Sequence, residues 1–261
     1  MTTLPAVDPS EFYNRLAPTY RDDFEVQHRK AYDTIAAELV RESLPASSTV
    51  VDVGCGVGRW VDWLLAEGHD VIGVEPSPAM AAVCRSVERG RGFTLLETDA
   101  DHADIRPGSV DAVVAMGSIQ YAPDPVASIA RMAGWIRPGG RMWLLVDSLG
   151  GLVQELLRRG DVDQAVERAT TRRGRFGDGE VEVEHHLFDA TSLASALAAA
   201  GLTEVRVGGL LVAWSTRPRS DAQALLEARW HDELADERRL WSIPDIADLG
   251  KQLLGTAVVA V

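Results

Sequence analysis

The amino-acid sequence predicts an α/β fold built on a doubly wound, mostly parallel β-sheet. Two observations point to this fold class. Short apolar runs bounded by glycine and proline alternate with segments of helical periodicity, which is the order expected of β-α-β units joined by right-handed crossovers. The first apolar run also leads through a glycine-rich turn directly into a helix, an arrangement that lets the backbone approach a ligand closely.

The elements of this sheet are clearest in the first half of the chain. The apolar runs predict strands at Thr49–Val53, Asp70–Val74, Phe93–Glu97, Val110–Met116 and Arg141–Asp147. The periodic segments between them predict helices at Arg59–Glu67, Pro78–Glu88 and Pro125–Ile136. Ahead of the first strand, Ser10–Leu44 is predicted to form two helices that cap a ligand cleft.

The second half departs from plain alternation. After Asp147 we expect two helices, at Leu149–Arg159 and Val162–Arg173, and then a glycine-rich break at Gly174–Gly179. A strand at Val181–Phe188, a helix at Ser192–Ala200 and a strand at Thr203–Val207 are expected to follow. Two further helices are predicted from the apolar spacing of Ala222 to Leu234 and of Ile246 to Leu253. The β-rich ending Thr256–Val261 is predicted to be the last strand.

Composition and charge exclude several classes of function. The 261 residues carry 39 acidic and 26 basic side chains, a net charge of −13, which opposes an extended contact with a nucleic-acid backbone. Cys55 and Cys84 are the two cysteines and show no metal-binding spacing, so no metal site is expected. The start has no signal-peptide pattern, and no apolar run is long enough to cross a membrane. We therefore expect a cytoplasmic protein.

Three polar or glycine-rich positions carry the chemical signal. The turn after the first strand contains Gly54 and Gly56, and Arg59 stands where a dinucleotide-binding turn would have its third glycine. Glu75 ends the second strand, where a carboxylate can accept hydrogen bonds from both ribose hydroxyls. Asp99 follows the third strand and can accept from an adenine amine, while Ala100 leaves room for the ring.

These positions belong to a series of motifs that resembles a known family. The segments VDVGCGVG, GVEPSPAM, Asp99–Ala100, DAVVAMGSIQYAPDP and IRPGGRMWL resemble, in order and spacing, the motifs of class I S-adenosylmethionine (SAM)-dependent methyltransferases. FYNRLAPTYRDDF resembles the entry segment of the members that act on small molecules. The resemblance implies a Rossmann-like sheet of seven strands, the last antiparallel and inserted between two others, with an N-terminal helical cap and a helical lid insertion.

The resemblance also implies how one domain is divided. A single SAM-dependent methyltransferase domain would span residues 1–261, with the helical cap at 1–48 and the SAM-binding core at 49–147. The lid insertion would occupy 148–188, and the second half of the sheet, with its own helical insertion, 189–261.

The cofactor-binding residues are carried over position by position. Gly54 and Gly56 would border the methionine part of SAM, Glu75 would hold the ribose, and Asp99 would read the adenine amine with Ala100 beside it. The resemblance further implies cofactor contacts from Cys55 in the turn and from Pro76 and Met80 at the beginning of the next helix. It also implies contacts from Met116 and Gly117 after the fourth strand and from Tyr20 in the N-terminal cap.

The adjacent histidines His185 and His186 are the candidates for a general base. Methyl transfer from a sulfonium is an in-line displacement, and it needs a base only when the accepting atom must lose a proton early. If Val181–Phe188 is a regular strand, His185 shares the apolar face with Val183, whereas His186 lies on the other face. His185 is therefore favoured, although two structural or solvated histidines remain an alternative that suits an amine acceptor.

The sequence thus predicts an enzyme that passes the methyl group of SAM to an oxygen, nitrogen or carbon atom of a small molecule and releases S-adenosylhomocysteine. The alanine-, glycine- and arginine-rich composition suggests a GC-rich bacterial source, and a role in natural-product biosynthesis would fit such a source. Two alternatives stay open. A SAM-binding protein with non-methylating chemistry, such as cyclisation, would share every cofactor motif, and a nicotinamide-dependent dehydrogenase would share the glycine turn and Glu75 but is disfavoured by Arg59.

Overall fold

The chain is described from a computed structural model, which covers residues 4–23, 26–87, 89–90 and 92–261. Its strands are β1 Thr49–Val53, β2 Asp70–Val74, β3 Phe93–Leu96, β4 Val110–Met116, β5 Ile136–Asp147, β6 Arg173–Gly177, β7 Glu182–His186, β8 Leu202–Leu210 and β9 Gln252–Val259. Its helices are α1 Pro9–Leu16, α2 Tyr20–Asp23, α3 Gln27–Ser43, α4 Arg59–Ala66, α5 Pro78–Ser86, α6 Pro125–Trp135, α7 Leu149–Arg158, α8 Val162–Thr171, α9 Ala190–Ala199, α10 Val212–Thr216, α11 Arg219–Ala228 and α12 Trp230–Trp241, with short 3-10 helices at Ile119–Tyr121 and Pro244–Leu249.

Seven strands form the central sheet in the order β3-β2-β1-β4-β5-β9-β8. The pairs among β1 to β5 are parallel, whereas β9 runs antiparallel to both β5 and β8. This confirms the Rossmann-like, doubly wound fold class and the final strand inserted between two earlier ones. The carboxyl ends of β1, β2, β4 and β5 therefore meet at one edge of the sheet.

The alternation of side chains along β5 divides the apolar core into two layers. Met142, Leu144 and Val146 pack into the layer that contains α6 and α9, while Trp143 and Leu145 pack into the layer that contains α3, α4 and α11. Since every second residue of a strand points to the same face, one buried strand contributes to both layers.

Polar side chains begin several of the covering helices. The Ser77 side chain accepts a hydrogen bond from the Met80 N–H at the start of α5, and Asp124 does so from Val126 and Ala127 at the start of α6. Asp189 begins α9 with a reciprocal capping box. Such caps satisfy backbone N–H groups that have no partner inside the helix.

Residues 148–188 contain the clearest error of the sequence prediction. Gly174–Gly179 was predicted as a break, but its first residues belong to β6, which pairs antiparallel with β7. Gly174 is needed for packing rather than for a turn, because a Cβ there would lie 2.3 Å from Nε2 of His185. The helix predicted to reach Arg173 ends at Thr171, where Arg172 takes a left-handed conformation with φ 56°.

Other differences are smaller. Leu253 belongs to β9 rather than to a helix, because Leu253 and Leu254 enter opposite core layers within the β5–β9 ladder. The N-terminal cap has three helical segments instead of two, and the short helix α10 was not predicted. The predicted helix end at Glu88 lies outside the described residues.

The hairpin β6–β7 is joined to the N-terminal segment. The Val7 N–H donates to the Glu182 carbonyl at 2.9 Å, and the Glu182 N–H donates to the Pro5 carbonyl at 3.0 Å. The Arg15 guanidinium also pairs with the Asp178 carboxylate at 2.9 Å. The cap and the hairpin therefore cover the sheet edge as one unit. In the part of the chain that the structure describes, no helix has the length and apolar character that crossing a membrane requires.

Candidate cofactor and acceptor sites

The glycine turn after β1 is shaped by close approach of the backbone to other segments. Gly54 and Gly56 have φ angles of 69° and 55°, a conformation that favours glycine. A Cβ at Gly54 would lie 2.2 Å from Cβ of Ser118, in the loop after β4, so this position has no space for a side chain. At Gly56 a Cβ would lie 3.8 Å from the Tyr20 ring, which places Tyr20 over the turn.

Glu75 lies directly after β2 and faces this turn. Its carboxylate accepts hydrogen bonds from the backbone N–H groups of Gly56 and Ser77, each at 2.8 Å. Burial raises the pKa of Glu75, while the two N–H groups oppose that shift. The carboxylate is thus fixed by the backbone, with further acceptor capacity for a ligand.

Most of the predicted cofactor residues surround one small cavity of about 90 Å³. The predicted residues that line it come from the N-terminal cap, the glycine turn, the segment from the end of β2 into α5 and the end of β4, and they are Tyr20, Gly54, Gly56, Glu75, Pro76, Met80, Met116 and Gly117. The structure therefore brings together residues that the sequence analysis took from four separate segments.

Three predicted residues do not line this cavity. The Cys55 side chain is buried beneath the turn against Gly73, and the hydrogen bond with Cys84 together with burial raises the pKa of the Cys55 thiol. The exposed Asp99 carboxylate accepts from the His102 N–H at 2.9 Å and lies 2.7 Å from its Nδ1. Ala100 is buried in the core.

A group of tyrosines that the sequence analysis only partly identified lies above the glycine turn. The Tyr13 ring contacts Tyr20 and Tyr121 edge-on, at centroid distances of 5.9 and 5.3 Å. Burial raises the pKa of all three phenols, so they are neutral at physiological pH. Tyr13 lies in the N-terminal motif and Tyr121 in the loop after β4, so both were within segments quoted for the family, but neither has a distinctive spacing.

A second, larger cavity of about 650 Å³ opens beside the first. Tyr13, Tyr20, Met116, Gly117 and Tyr121 line both cavities. The remaining lining residues come from the N-terminal helices α2 and α3, from the ends of β5 and β7, from β6 and the 3-10 helix after β4, from α7 and the start of α11, and from the start of β9 with the residue before it. The volume suits a small organic molecule.

His185 faces this larger cavity as part of a polar cluster at the end of β5. Its Nε2 lies 3.2 Å from Oδ2 of Asp147, and its Nδ1 is buried without a hydrogen-bond partner among the described residues. Gln120 fixes Asp147 from the other side, because its amide donates to the carboxylate at 2.9 Å and accepts from the Asp147 N–H at 2.8 Å. Although burial opposes ionisation, the bond to His185 and its charge lower the pKa of Asp147.

His186 lies on the opposite face of β7, as the alternation along the strand predicts. It lines a different surface pocket of about 390 Å³, together with Arg173 and Glu184. Burial and the nearby Arg173 lower the pKa of His186. The structure therefore separates the two candidate bases and brings only His185 to the larger cavity. No group of three or more side chains suited to holding a metal ion is found within the described ranges.

Comparison with known proteins identifies the domain. Residues 51–144 match the methyltransferase domain family. A ubiquinone biosynthesis O-methyltransferase of Vibrio parahaemolyticus is 29% identical over 153 residues, which cover 55% of this chain and 64% of that protein. The chain spans less than two thirds of the length of the curated relatives it matches.

Solved structures extend the likeness to the whole fold. A SAM-dependent methyltransferase of Thermotoga maritima superposes with a TM-score of 0.60 at 18% identity, covering 95% of this chain and 98% of that one. The [4+2]-cyclase SpnF superposes with a TM-score of 0.61 at 16% identity over the full length of both chains. Residues 51–144 thus form a methyltransferase domain, and the family match, the curated relatives and the fold together support a class I SAM-dependent methyltransferase.

Proposed function

We propose that this chain transfers the methyl group of SAM to a small-molecule acceptor and releases S-adenosylhomocysteine. One observation carries the proposal: the cavity at the glycine turn and the larger cavity share the residues around Tyr13, Tyr20 and Tyr121. A cofactor in the first cavity and an acceptor in the second would meet at this junction. Methyl transfer requires such a meeting, because most of its acceleration comes from alignment of the two reacting atoms in a dry site.

SAM would occupy the small cavity in the orientation that the family resemblance implies. Glu75 would accept hydrogen bonds from the ribose hydroxyls, Gly54 and Gly56 would allow the methionine part to approach, and Met80 would pack near the adenine. The adenine contact proposed for Asp99 and Ala100 requires the Asp99 carboxylate to exchange its bond to His102 for one to the adenine amine.

We further propose that the accepting atom lies beside Asp147 and His185. During transfer the sulfonium–carbon bond breaks as the bond to the acceptor forms, and an acceptor hydroxyl must also lose its proton. The Asp147–His185 pair would take up that proton, since Asp147 stabilises a protonated imidazole. His186 is the less favoured base, because it lines a separate pocket. An unprotonated amine acceptor would use Asp147 for orientation alone.

We also propose a role in bacterial natural-product biosynthesis, which the alanine-, glycine- and arginine-rich composition supports. A cytoplasmic location is likewise proposed, since both cysteines are free thiols, which fits a reducing compartment.

The test combines cofactor binding with product analysis. Calorimetry is expected to find tight binding of SAM and S-adenosylhomocysteine and no binding of NAD. A screen of small-molecule acceptors with methyl-labelled SAM, read by mass spectrometry, is expected to give a product heavier by one labelled methyl group. Conversion of an acceptor without gain of the label would instead support non-methylating chemistry, and the absence of SAM binding would refute the proposal.

A further inference from the structure

More basic than acidic side chains line the larger cavity, including its mouth at Val26, His28 and Arg219, although the chain as a whole is acidic. Five basic side chains line the cavity against three carboxylates, whereas the complete chain has a net charge of −13. The basic residues are Arg29, Arg159, Arg175, Arg219 and Lys251, and the acidic ones are Asp22, Asp147 and Glu155. A local excess of positive charge in an acidic protein indicates a ligand of opposite charge.

Part of this positive charge is already neutralised. Arg159 pairs with Glu155, which also lies 3.7 Å from the Lys251 ammonium. Arg175 contacts Glu184 on the neighbouring strand at 3.2 Å. Arg219, by contrast, is exposed and makes no ion pair with any residue that the structure describes.

Two helices begin at the mouth with features that favour an anion. The first residues of α3 and α11 line both the large cavity and an adjoining cavity of about 640 Å³, which meet at Val26, His28 and Arg219. Neither helix has a side-chain cap at its start, so N–H groups of the first turn are available to a ligand. Arg219 at the first position of α11 adds to the positive end of the helix dipole, which Asp221 in the same turn partly offsets.

His28 lies at the centre of this region. Its ring is 8% exposed and stacks on Trp214 at a centroid distance of 5.2 Å, and the Lys251 ammonium lies 5.5 Å from the centroid of the same indole. Burial, followed by the charges of Lys251, Arg219 and Arg29, lowers the pKa of His28 to about 4. Three cations thus act on one buried imidazole. Of the described carboxylates, the exposed Asp22 and Glu227 line the two cavities here, and the exposed Asp221 lies in the first turn of α11.

The mouth is connected to the reacting end of the cavity by two consecutive residues. Gln252 is the β-ladder partner of Asp147, and Lys251 immediately precedes it. The Gln252 side-chain oxygen is buried and finds no hydrogen-bond partner among the described residues, although the residue lines the cavity. An acceptor that donates a hydrogen bond near Asp147 and Gln252 would therefore place its other end within reach of Lys251 and the mouth.

We propose that the acceptor of this enzyme is an anion, carrying a carboxylate or phosphate group that binds between the starts of α3 and α11 against Arg219, Arg29 and Lys251, while its hydroxyl or amine lies at Asp147. This inference names the substrate class and rests on the proposed methyl transfer. Arg219 is a specificity determinant, since it touches the part of the acceptor that does not react.

The first experiment uses inorganic phosphate as the probe and the S-adenosylhomocysteine complex of the full chain. NMR titration of the histidines in phosphate and in chloride of equal ionic strength reports on the site directly, because an anion beside His28 favours its protonated form. We expect phosphate to raise the pKa of His28 and to leave the chemical shifts of the exposed His231 the same as in chloride. Arg219→Gln is expected to remove the effect. Arg131→Gln, a change of an exposed arginine on α6 that does not line the cavity, is expected to retain it.

The second experiment compares turnover of each acid in the acceptor screen with that of its neutral methyl ester. We expect the acids to be methylated preferentially, and Arg219→Gln to raise KM for an acid by at least about tenfold with little change in kcat, because a charge-assisted contact away from the reacting atoms is lost. If SAM binds and acceptors are methylated, but esters and acids react alike and phosphate leaves His28 unchanged, the anion inference is wrong and the proposed function stands. Failure of SAM binding would refute the proposed function itself.

Discussion

The two cavities of this molecule differ in how the chain builds them. The small cavity is formed by three short stretches of sequence, at 9–20, 54–80 and 116–121, which overlap the motifs quoted in the sequence analysis. The large cavity draws on segments as far apart as α2 and the start of β9. Local sequence therefore specifies the proposed cofactor site, whereas the proposed acceptor site depends on tertiary packing. Each prediction below tests one side of this difference.

The largest effect is expected from removing Thr256–Val261. These residues fill the space between β5 and β8, and Ala257 and Val258 are buried. Because the deletion removes ladder bonds from two neighbouring strands as well as buried side chains, it should cost roughly 5 kcal/mol or more, comparable to the whole stability of many domains. Thermal unfolding by circular dichroism would measure the loss. An unchanged midpoint would show that an inner β9 contributes nothing to stability.

His185→Ala tests the reacting end of the large cavity. We expect kcat to fall by about 10²- to 10⁴-fold for a hydroxyl acceptor, with little change in SAM affinity, as for loss of a base. The matched variant His186→Ala should retain most activity, because His186 lines a separate pocket. Near wild-type turnover by both variants would exclude a histidine base and favour an amine acceptor.

His28→Gln tests the mouth of the same cavity through acid stability. Since the pKa of His28 is lowered to about 4, the unfolded chain binds a proton near pH 6.5 that the folded chain does not bind. Stability is therefore lost as pH falls from about 6.5 towards 4, and this contribution is about 2 kcal/mol at pH 5. We expect denaturant unfolding to show a weaker acid dependence for His28→Gln, and an unaltered one for the exposed control His231→Gln. Parallel pH profiles for wild type and His28→Gln would contradict the shifted pKa.

Glu75→Ala tests the cofactor side. We expect SAM binding to weaken by at least about tenfold while the fold is retained, because the carboxylate can lose its ribose partners without opening the core. Glu75→Gln, which keeps an acceptor oxygen for the turn, separates the loss of charge from the loss of the turn contact. Calorimetry would measure both, with the exposed Glu97→Ala as control. Unchanged affinity in a folded Glu75→Ala variant would remove Glu75 from the ribose site.

The sequence predicted those features that depend on local patterns. The strands β1, β2 and β4 begin and end where their apolar runs do. The alternation of side chains along β7 correctly predicted that His185 lies on the buried face of the strand. The contact between His185 and Asp147 could not be predicted in the same way, because these residues are 38 positions apart and meet only when residues 148–188 fold back onto the sheet. Gly174 was wrongly predicted to lie in a break for a related reason. The His185 ring packs against position 174 and leaves no space there for a Cβ, and this contact cannot be predicted from the sequence.

The contact between the N-terminal segment and the β6–β7 hairpin has a kinetic consequence. Tyr13 and Tyr20 cover both cavities, and the cap that carries them is bonded to the hairpin through Val7, Glu182 and the Arg15–Asp178 pair. A single opening motion would therefore uncover the spent cofactor and the product together. Arg15→Ala, which weakens this contact, is expected to accelerate both dissociation steps in parallel when each is followed by stopped-flow fluorescence. Acceleration of one step alone would mean that the two ligands leave by separate routes.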